Sequence, residues 1–590
     1  MSRKIKAHLQ ELVAREQGAV VREWGHRVPV ALIYPHEYEV GMSNLGFQTV
    51  YHLINTHPDL TCERFFLPGR DELEEYQRSQ TPLLSVESQR PLTDFAVIAF
   101  SLSFEPDYLN VLKILSLGHI PLQASQREAR WPLVVAGGVA VMLNPEPLAP
   151  FLDAFFVGEC ETWGAEFFEL LADADRGDRL GALRTLAARI PGVYVPSAYQ
   201  PAYHADGTLR SFTPAPGFPA VVAAPHPLAL DDYPVHSRLL APGAEFSRMF
   251  LVEINRGCGR GCRFCAAGFV YRPLRHRSLP ALTGPLEAGL KSGAKIGLVG
   301  TAVTDHPDLK EILRRLTAAE AQVSLSSLRA DCADAELFAL LKQGGVRSVA
   351  LAPEAGSDRL RRVINKNLSE TELQQAVLAL QNAGLSQLRL YFLLGLPTET
   401  RSDVEEIARL TKHLQHCATK AAAGQPRLGG ITLSLNSFVP KPFTPFQWTS
   451  FAGVAELKER IKRVKRSLQG EPRIRVHADM PKWAYYQALL ARGDRRVADL
   501  LLKVHEADGD WAQACRHSPL NPDFFVLRER ARDELFPWDF IDHGVNKAYL
   551  WEEYQKALSA TQTPPCPPRG CRRCGVCRDE GEQEVAAPST

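Results

Sequence analysis

Three cysteines are the residues of this chain best placed to do chemistry. Cys258, Cys262 and Cys265 lie within the stretch Glu253 to Pro273, EINRGCGRGCRFCAAGFVYRP, in a C-x3-C-x2-C spacing. They follow an apolar, strand-like run from Met249 to Ile254. A loop so rich in glycine and arginine can fold its backbone around a compact inorganic cluster. Three thiolates hold three irons of a [4Fe-4S] cubane and leave the fourth open, whereas four-cysteine ferredoxin-type sites fill every position. An open metal position suits catalysis, by the logic that separates catalytic from structural zinc sites. The competing readings are a zinc knuckle and three unrelated buried thiols. Tetrahedral zinc is normally closed by four protein ligands, and the next histidine, His276, lies eleven residues past Cys265.

A second group, Cys566, Cys571, Cys574 and Cys577, has a C-x4-C-x2-C-x2-C spacing among prolines and arginines. Four thiols in so short a peptide suit zinc or a second iron–sulfur cluster. The alternative is a tail with free thiols. Seven of the twelve cysteines fall in these two groups. With no export-like signal at the polar N-terminus, that usage fits a reducing, cytoplasmic setting and metal ligation, not disulfides. No apolar run approaches the roughly 18 residues that cross a bilayer, so no membrane partner is expected. The net charge of +1 gives no global case for nucleic acid, although a local basic groove stays open. At 590 residues, several domains are expected.

The elements that must position these groups read as α/β. Residues 1–27 form a helical lead-in. Residues 28–185 alternate apolar strands, near Val30, Asp94–Phe100, Pro132–Ala136 and Ala154–Val157, with helices such as Asn44–Asn55, Glu105–Leu117 and Thr162–Arg189. That alternation predicts a doubly wound, Rossmann-like parallel sheet. Residues 186–245 read as a connector with a hairpin at Ala205-Asp206-Gly207. Residues 246–469 contain six strand-like runs: Met249–Ile254, Ile296–Gly300, Gln322–Ser326, Ser348–Leu351, Leu388–Leu394 and Ile431–Phe438. Helical segments separate them, which predicts a partial (β/α)6 barrel with its chemistry at the C-terminal strand ends. Residues 470–560 read as mostly helical, and 561–590 as a Cys-rich tail. Lys441, Gln447 and Trp448, in a rigid proline-rich loop, are candidates to face substrate, with barrel closure as the alternative. Arg492, Arg495 and Arg496 are a basic run that suits an anionic substrate or a solvated face.

The cysteine spacing, Phe264 just before the third cysteine and the preceding strand resemble the radical S-adenosylmethionine (SAM) superfamily. In that family the open iron chelates SAM through its amino and carboxylate groups, and the aromatic residue packs on the adenine side. The resemblance implies SAM contacts at successive strand ends: Gly300 and Thr301, Ser326 and Arg329, Glu354, and Gly395 and Pro397. The motif's usual acidic residue is replaced near Gly300, so that contact is assigned by position.

Residues 28–161 resemble the cobalamin-binding domain that precedes many radical SAM cores. That likeness rests on domain order and on the strand-end loops GMSNLGF, SLSFEPD, AGGVAV and VGECE. It implies corrinoid contacts at Asn44, Ser103, Gly137, Gly138, Gly158 and Glu159. The family's D-x-H-x-x-G loop is absent, and His36, His52 and His57 lack its context. Cobalamin, if bound, would have no protein histidine on cobalt. The alternative is a relic domain that serves as a lid or docking surface.

The resemblance implies that the reduced cluster, fed by a one-electron donor such as flavodoxin or ferredoxin, cleaves SAM to methionine and a 5′-deoxyadenosyl radical. With cobalamin, C-methylation of a substrate is the expected class of outcome. Two other readings stand beside it. One is radical modification, such as methylthiolation, of RNA or a ribosome-associated protein. The other is a non-catalytic metal-binding scaffold.

Overall fold

The computed structural model describes residues 1–173, 178–246, 249–326, 328–422, 428–567 and 571–577. Near the N-terminus a six-stranded sheet comprises β1 (Val28–Tyr34), β2 (Leu60–Phe66), β3 (Val97–Ser101), β4 (Leu133–Gly137), β5 (Ala154–Phe156) and β6 (Val193–Tyr194). Its order is β2-β1-β3-β4-β5-β6. The first five strands pair in parallel and β6 closes the edge antiparallel. All seven residues of β1 are buried, as a strand covered on both faces requires. Asn44 caps the helix Leu45–Thr56, its side-chain oxygen accepting from the Phe47 amide at 2.9 Å.

β2 is absent from the sequence reading. Its segment, LTCERFF, carries charge in its middle, yet every residue is buried. Arg64 is bonded by Glu16 and Glu87, each at 2.6 Å. Glu63 accepts from the Trp24 indole at 2.7 Å and from the Ser88 hydroxyl at 2.6 Å. The strand hides paired charges in place of an apolar run. The single helix expected over Thr162–Arg189 is two among the described residues, Gly164–Asp173 and Arg179–Arg189.

The connector contains the hairpin β7 (Tyr199–Tyr203) and β8 (Leu209–Pro214), then a short β9 (Val222–Ala223). The second α/β unit begins with β10 (Met249–Arg256), an antiparallel β11 (Arg275–His276), β12 (Lys295–Gly300) and β13 (Val323–Leu325). It continues with β14 (Ser348–Glu354), β15 (Gln387–Leu394), β16 (Gly430–Ser437) and β17 (Ile474–Ala478). Two four-stranded sheets, β11-β10-β12-β13 and β14-β15-β16-β17, are joined by a parallel bridge from Leu328 to Leu351. All six expected strands are present. β17 adds a seventh, paired parallel to β16. Its IRVHA sequence alternates half-buried and exposed residues at the sheet edge, so it lacks the apolar run of a central strand.

The C-terminal region is mainly helical, with Pro481–Arg492, Val497–Glu506, Trp511–His517 and Lys547–Leu558. A two-residue strand, β18 (Ile541–Asp542), pairs with β9 and ties this region to the connector. The basic run proves structural. Arg492 is buried and donates to the carbonyls of Thr449, Phe525 and Arg528. Arg495 reaches Glu146 and the Tyr199 carbonyl across the domain boundary, and Arg496 pairs with Asp494. These cations are committed to the protein, not offered to substrate. Among the described residues no helix is long and apolar enough to cross a membrane.

Candidate functional site

The cysteine loop begins where β10 ends. Gly257 sits at φ +82°, and a Cβ there would meet the carbonyl oxygens of Tyr271 at 2.2 Å and Pro273 at 2.4 Å. Only glycine lets the chain pass at this point. Beyond it the loop closes on itself, with the Cys265 amide donating to the Cys262 carbonyl at 3.1 Å. The arginines between the cysteines hold it down. Arg260 donates to both oxygens of Asp305 and to Asp331. Arg263, fully buried, donates to the carbonyls of Val363 and Thr561 and pairs with Glu553 at 3.0 Å.

The three thiols are electrostatic neighbours. Burial, then the Cys262 charge, pushes Cys258 up to about 12 and Cys265 up to about 11. Thiols in such a place ionise only when a cationic centre shares it, which is what cluster irons supply. Among the described residues no three His, Cys, Asp or Glu side chains are drawn in tightly enough to grip an ion.

The neighbouring strand ends gather polar groups around this loop. A Cβ on Gly300 would lie 2.2 Å from Asn255 Oδ1, so glycine keeps β12 tight against β10. Arg329 pairs with Asp331 at 3.0 Å and donates to the Lys366 carbonyl at 3.2 Å. Lys366 is buried and stands 3.4 Å from Glu354. The charges of Cys262 act on Arg329, and those of Lys366 and Glu354 on Cys265. Arg329 and Glu354 therefore flank the cysteines through Lys366. Lys366, Arg260, Asp305 and Asp331 join the site without standing out as candidates in the sequence. A readable signal was Asn365-Lys366-Asn367, since both asparagines sit in the left-handed region, where short polar side chains are tolerated.

Gly395 lies at φ +90°, and its amide donates to Glu399 at 2.8 Å. Pro397 follows in the same turn and is half-buried, as is Phe264, which packs against the core. Ser326 stands apart, in a separate recess at the break between β13 and β14, with Lys295, Leu341 and Arg347. That recess is distinct from the space that Gly300 and Thr301 line, so Ser326 is not brought together with them.

A cavity of about 470 Å3 lies between the two sheets' C-terminal edges. Gly300, Thr301, Asn255 and Arg256 line it from the barrel. Asn44, Ser103, Gly137, Gly138, Gly158 and Glu159 line it from the first sheet. It runs on into that sheet as an apolar slot past Leu32, Ile54, Ala99 and Val135. Asn44 Nδ2 donates to Ser103 Oγ at 3.1 Å across the mouth. No histidine is among the described residues lining it. One rim is locked by charge. Glu159 takes Arg256 at 2.5 Å and Arg275 at 2.6 Å, and Arg256 also binds Glu161 and Glu253.

The proline-rich loop turns away from this cavity. Gln447 and Trp448 are buried, and Gln447 accepts from the Phe443 amide and the Trp538 indole. Lys441 pairs with Glu105 at 2.5 Å, bridging the barrel to the first sheet. These residues close the structure instead of meeting substrate.

Family models for the N-terminal part of radical SAM proteins and for the radical SAM superfamily match residues 46–196 and 252–411 respectively. An uncharacterized protein of Methanocaldococcus jannaschii is 31% identical over 474 residues, covering 80% of this chain and 90% of that protein. The ribosomal protein uS12 methylthiotransferase RimO of Thermotoga sp. strain RQ2 is 29% identical over 201 residues, which is 32% of this chain and 47% of that enzyme. Among solved structures, the radical SAM methyltransferase TsrM of Kitasatospora setae aligns with a TM-score of 0.44 and 14% identity, covering 69% of this chain and 72% of that one.

Proposed function

The chain belongs to the radical SAM superfamily of enzymes, and from that premise we propose that it modifies its substrate with help from a corrinoid held between the two sheet edges. The carrying observation is the shared cavity: SAM-side residues Gly300 and Thr301 and the six corrinoid-side residues line one space. Its apolar slot suits the flat nonpolar part of a larger ligand, and the polar mouth suits a reactive end facing the barrel.

Cys258, Cys262 and Cys265 are the residues that would hold a [4Fe-4S] cluster. A cluster held there would supply the single electron that reductive cleavage of SAM requires. Arg260, clamped by Asp305 and Asp331, fixes the cysteine loop. Lys366 and Arg329 supply the positive charge that would face the SAM carboxylate, arginine offering a planar fork to it. Gly300 leaves backbone exposed for the methionine end. No side chain is assigned as a general acid or base.

The test is anaerobic purification and cluster reconstitution from a host supplied with cobalamin. Stoichiometric cobalt with a corrinoid absorption spectrum, together with 5′-deoxyadenosine release under reduction, is the expected result. SAM cleavage without retained cobalt would overturn the corrinoid assignment. That outcome would favour modification of RNA or a ribosome-associated protein, which the RimO likeness supports over 32% of this chain.

A further inference from the structure

The C-terminal cysteines are packed against the catalytic loop. The Cys566 amide donates to the Gly259 carbonyl at 2.8 Å, one residue past Cys258. Thr563 is fixed on the same surface, its amide donating to Asn365 Oδ1 at 2.8 Å and its hydroxyl to Glu553. Arg573 spans the peptide and donates to the carbonyls of Pro564 and Pro565 at 3.0 and 2.8 Å. The Cys574 carbonyl accepts from the Asn546 amide at 2.8 Å, and Gly575 turns the chain at φ +95°. Cys571 and Cys574 are buried. Cys566 has the thiols of Cys571 and Cys574 as neighbours, and Cys577 those of Cys574 and Cys571.

A peptide of prolines, arginines and cysteines has too little apolar surface to order itself. Something else must supply the missing stabilisation. Arg272 identifies its charge. This arginine, just past the catalytic loop, is 3% exposed and donates through Nε to the Gly268 carbonyl at 2.6 Å. Its Nη1 is buried without a hydrogen-bond partner. The titratable groups facing it are Tyr549, Cys574 and Cys566. A buried cation left uncompensated is strongly destabilising. Four thiolates around Zn2+ or around a [4Fe-4S]2+ core form a dianion, and either would neutralise Arg272.

We propose that Cys566, Cys571, Cys574 and Cys577 hold a second metal centre, a tetrathiolate site that Arg272 counter-charges and that clamps the tail onto the loop of Cys258, Cys262 and Cys265. Zinc and an iron–sulfur cluster share this ligand chemistry, and metal analysis separates them; no three of these thiols are drawn together among the described residues, so either centre would have to gather them. The background for the test is the full chain with Cys258→Ala, Cys262→Ala and Cys265→Ala, so that metal on the catalytic loop is removed. Expected there is retention of about four irons with sulfide, or of about one zinc, per chain. That metal is lost when Cys571→Ser and Cys574→Ser are added. Equal metal content with and without the tail cysteines, in chains of equal melting temperature, would overturn the proposal.

Alkylation mapped by mass spectrometry on the unsubstituted, metal-replete protein needs no variant and so is independent of folding losses. The four tail cysteines are expected to resist labelling until a chelator is added. Rapid labelling of all four beforehand would equally overturn the site. Neither measurement depends on whether cobalamin binds.

Discussion

The first sheet and the barrel both gather their chemistry at C-terminal strand ends but dress them differently. At the barrel edge the strand ends carry charge held in fixed pairs: Arg260 with Asp305 and Asp331, Lys366 with Glu354, Arg329 with Asp331. At the other edge the wall is mostly glycine, small polar and apolar groups opening on an apolar slot, with charge confined to the rim at Glu159 and Glu161. Preorganised charge suits a small zwitterion whose ends must be placed to within a fraction of an ångström. An apolar slot suits a bulky ligand held by area rather than by direction. The difference implies that the edges are loaded independently.

The largest expected effect separates them. Replacing Cys258, Cys262 and Cys265 with alanine should abolish deoxyadenosine release while leaving cobalt content at the wild-type level. Val139→Trp, which fills the slot from its half-buried wall, should do the reverse, losing cobalt and keeping catalytic-loop iron. Iron and cobalt analysis of both proteins reads the result directly. If either change strips both metals, the edges form one coupled site and the contrast fails.

Much of this arrangement was legible in the sequence, because strand periodicity and cysteine spacing are local signals. Each of the six barrel runs is a strand, and the four first-sheet runs are strands as well. The six first-sheet loop residues share one wall because strand ends of a parallel sheet must lie along one edge. What escaped depended on distant partners. β2 was hidden because Arg64 and Glu63 are buried by Glu16, Glu87 and Trp24, none of them adjacent in sequence. Lys366 was hidden because its relation to Cys265 exists only after β14 and its following helix fold. Gln447 and Trp448 looked available for substrate, yet Trp538, far along the chain, covers Gln447. Side-chain type shows that a residue can do chemistry; only the fold shows whether its bonding capacity is already taken.

A middle-sized effect tests the seam that keeps the two edges facing each other. Arg275 bonds both oxygens of Glu159 and the Pro227 carbonyl, all buried. Arg275→Gln leaves Glu159 with Arg256 alone. Breaking a buried pair costs roughly 3–5 kcal/mol, and the surviving arginine places this case toward the lower end. Chemical denaturation should show the loss, with cobalt binding falling more than catalytic-loop iron because the cavity rim is what moves. An unfolding curve matching wild type would mean that the first sheet is held by Lys441–Glu105 and Arg495–Glu146 instead.

The smallest effect concerns proton balance at the first edge. Burial, and then the Glu105 charge, raises Asp107 from 3.8 to about 7. In the unfolded chain this carboxyl ionises near pH 4, so between about pH 4 and 7 the folded state holds a proton that the unfolded state lacks. Stability from this group is therefore greatest below that window and declines as pH rises through it. Glu399, at the barrel edge, is likewise raised to about 7, chiefly by burial. It retains the Gly395 amide and Arg460 as partners of its ionised form. Asp107→Asn should flatten part of the decline in melting temperature between pH 5 and 8, and should leave the Glu399 share in place. Identical slopes in the two proteins would show that Asp107 is solvated in the folded state and that the first edge is wetter than its burial implies.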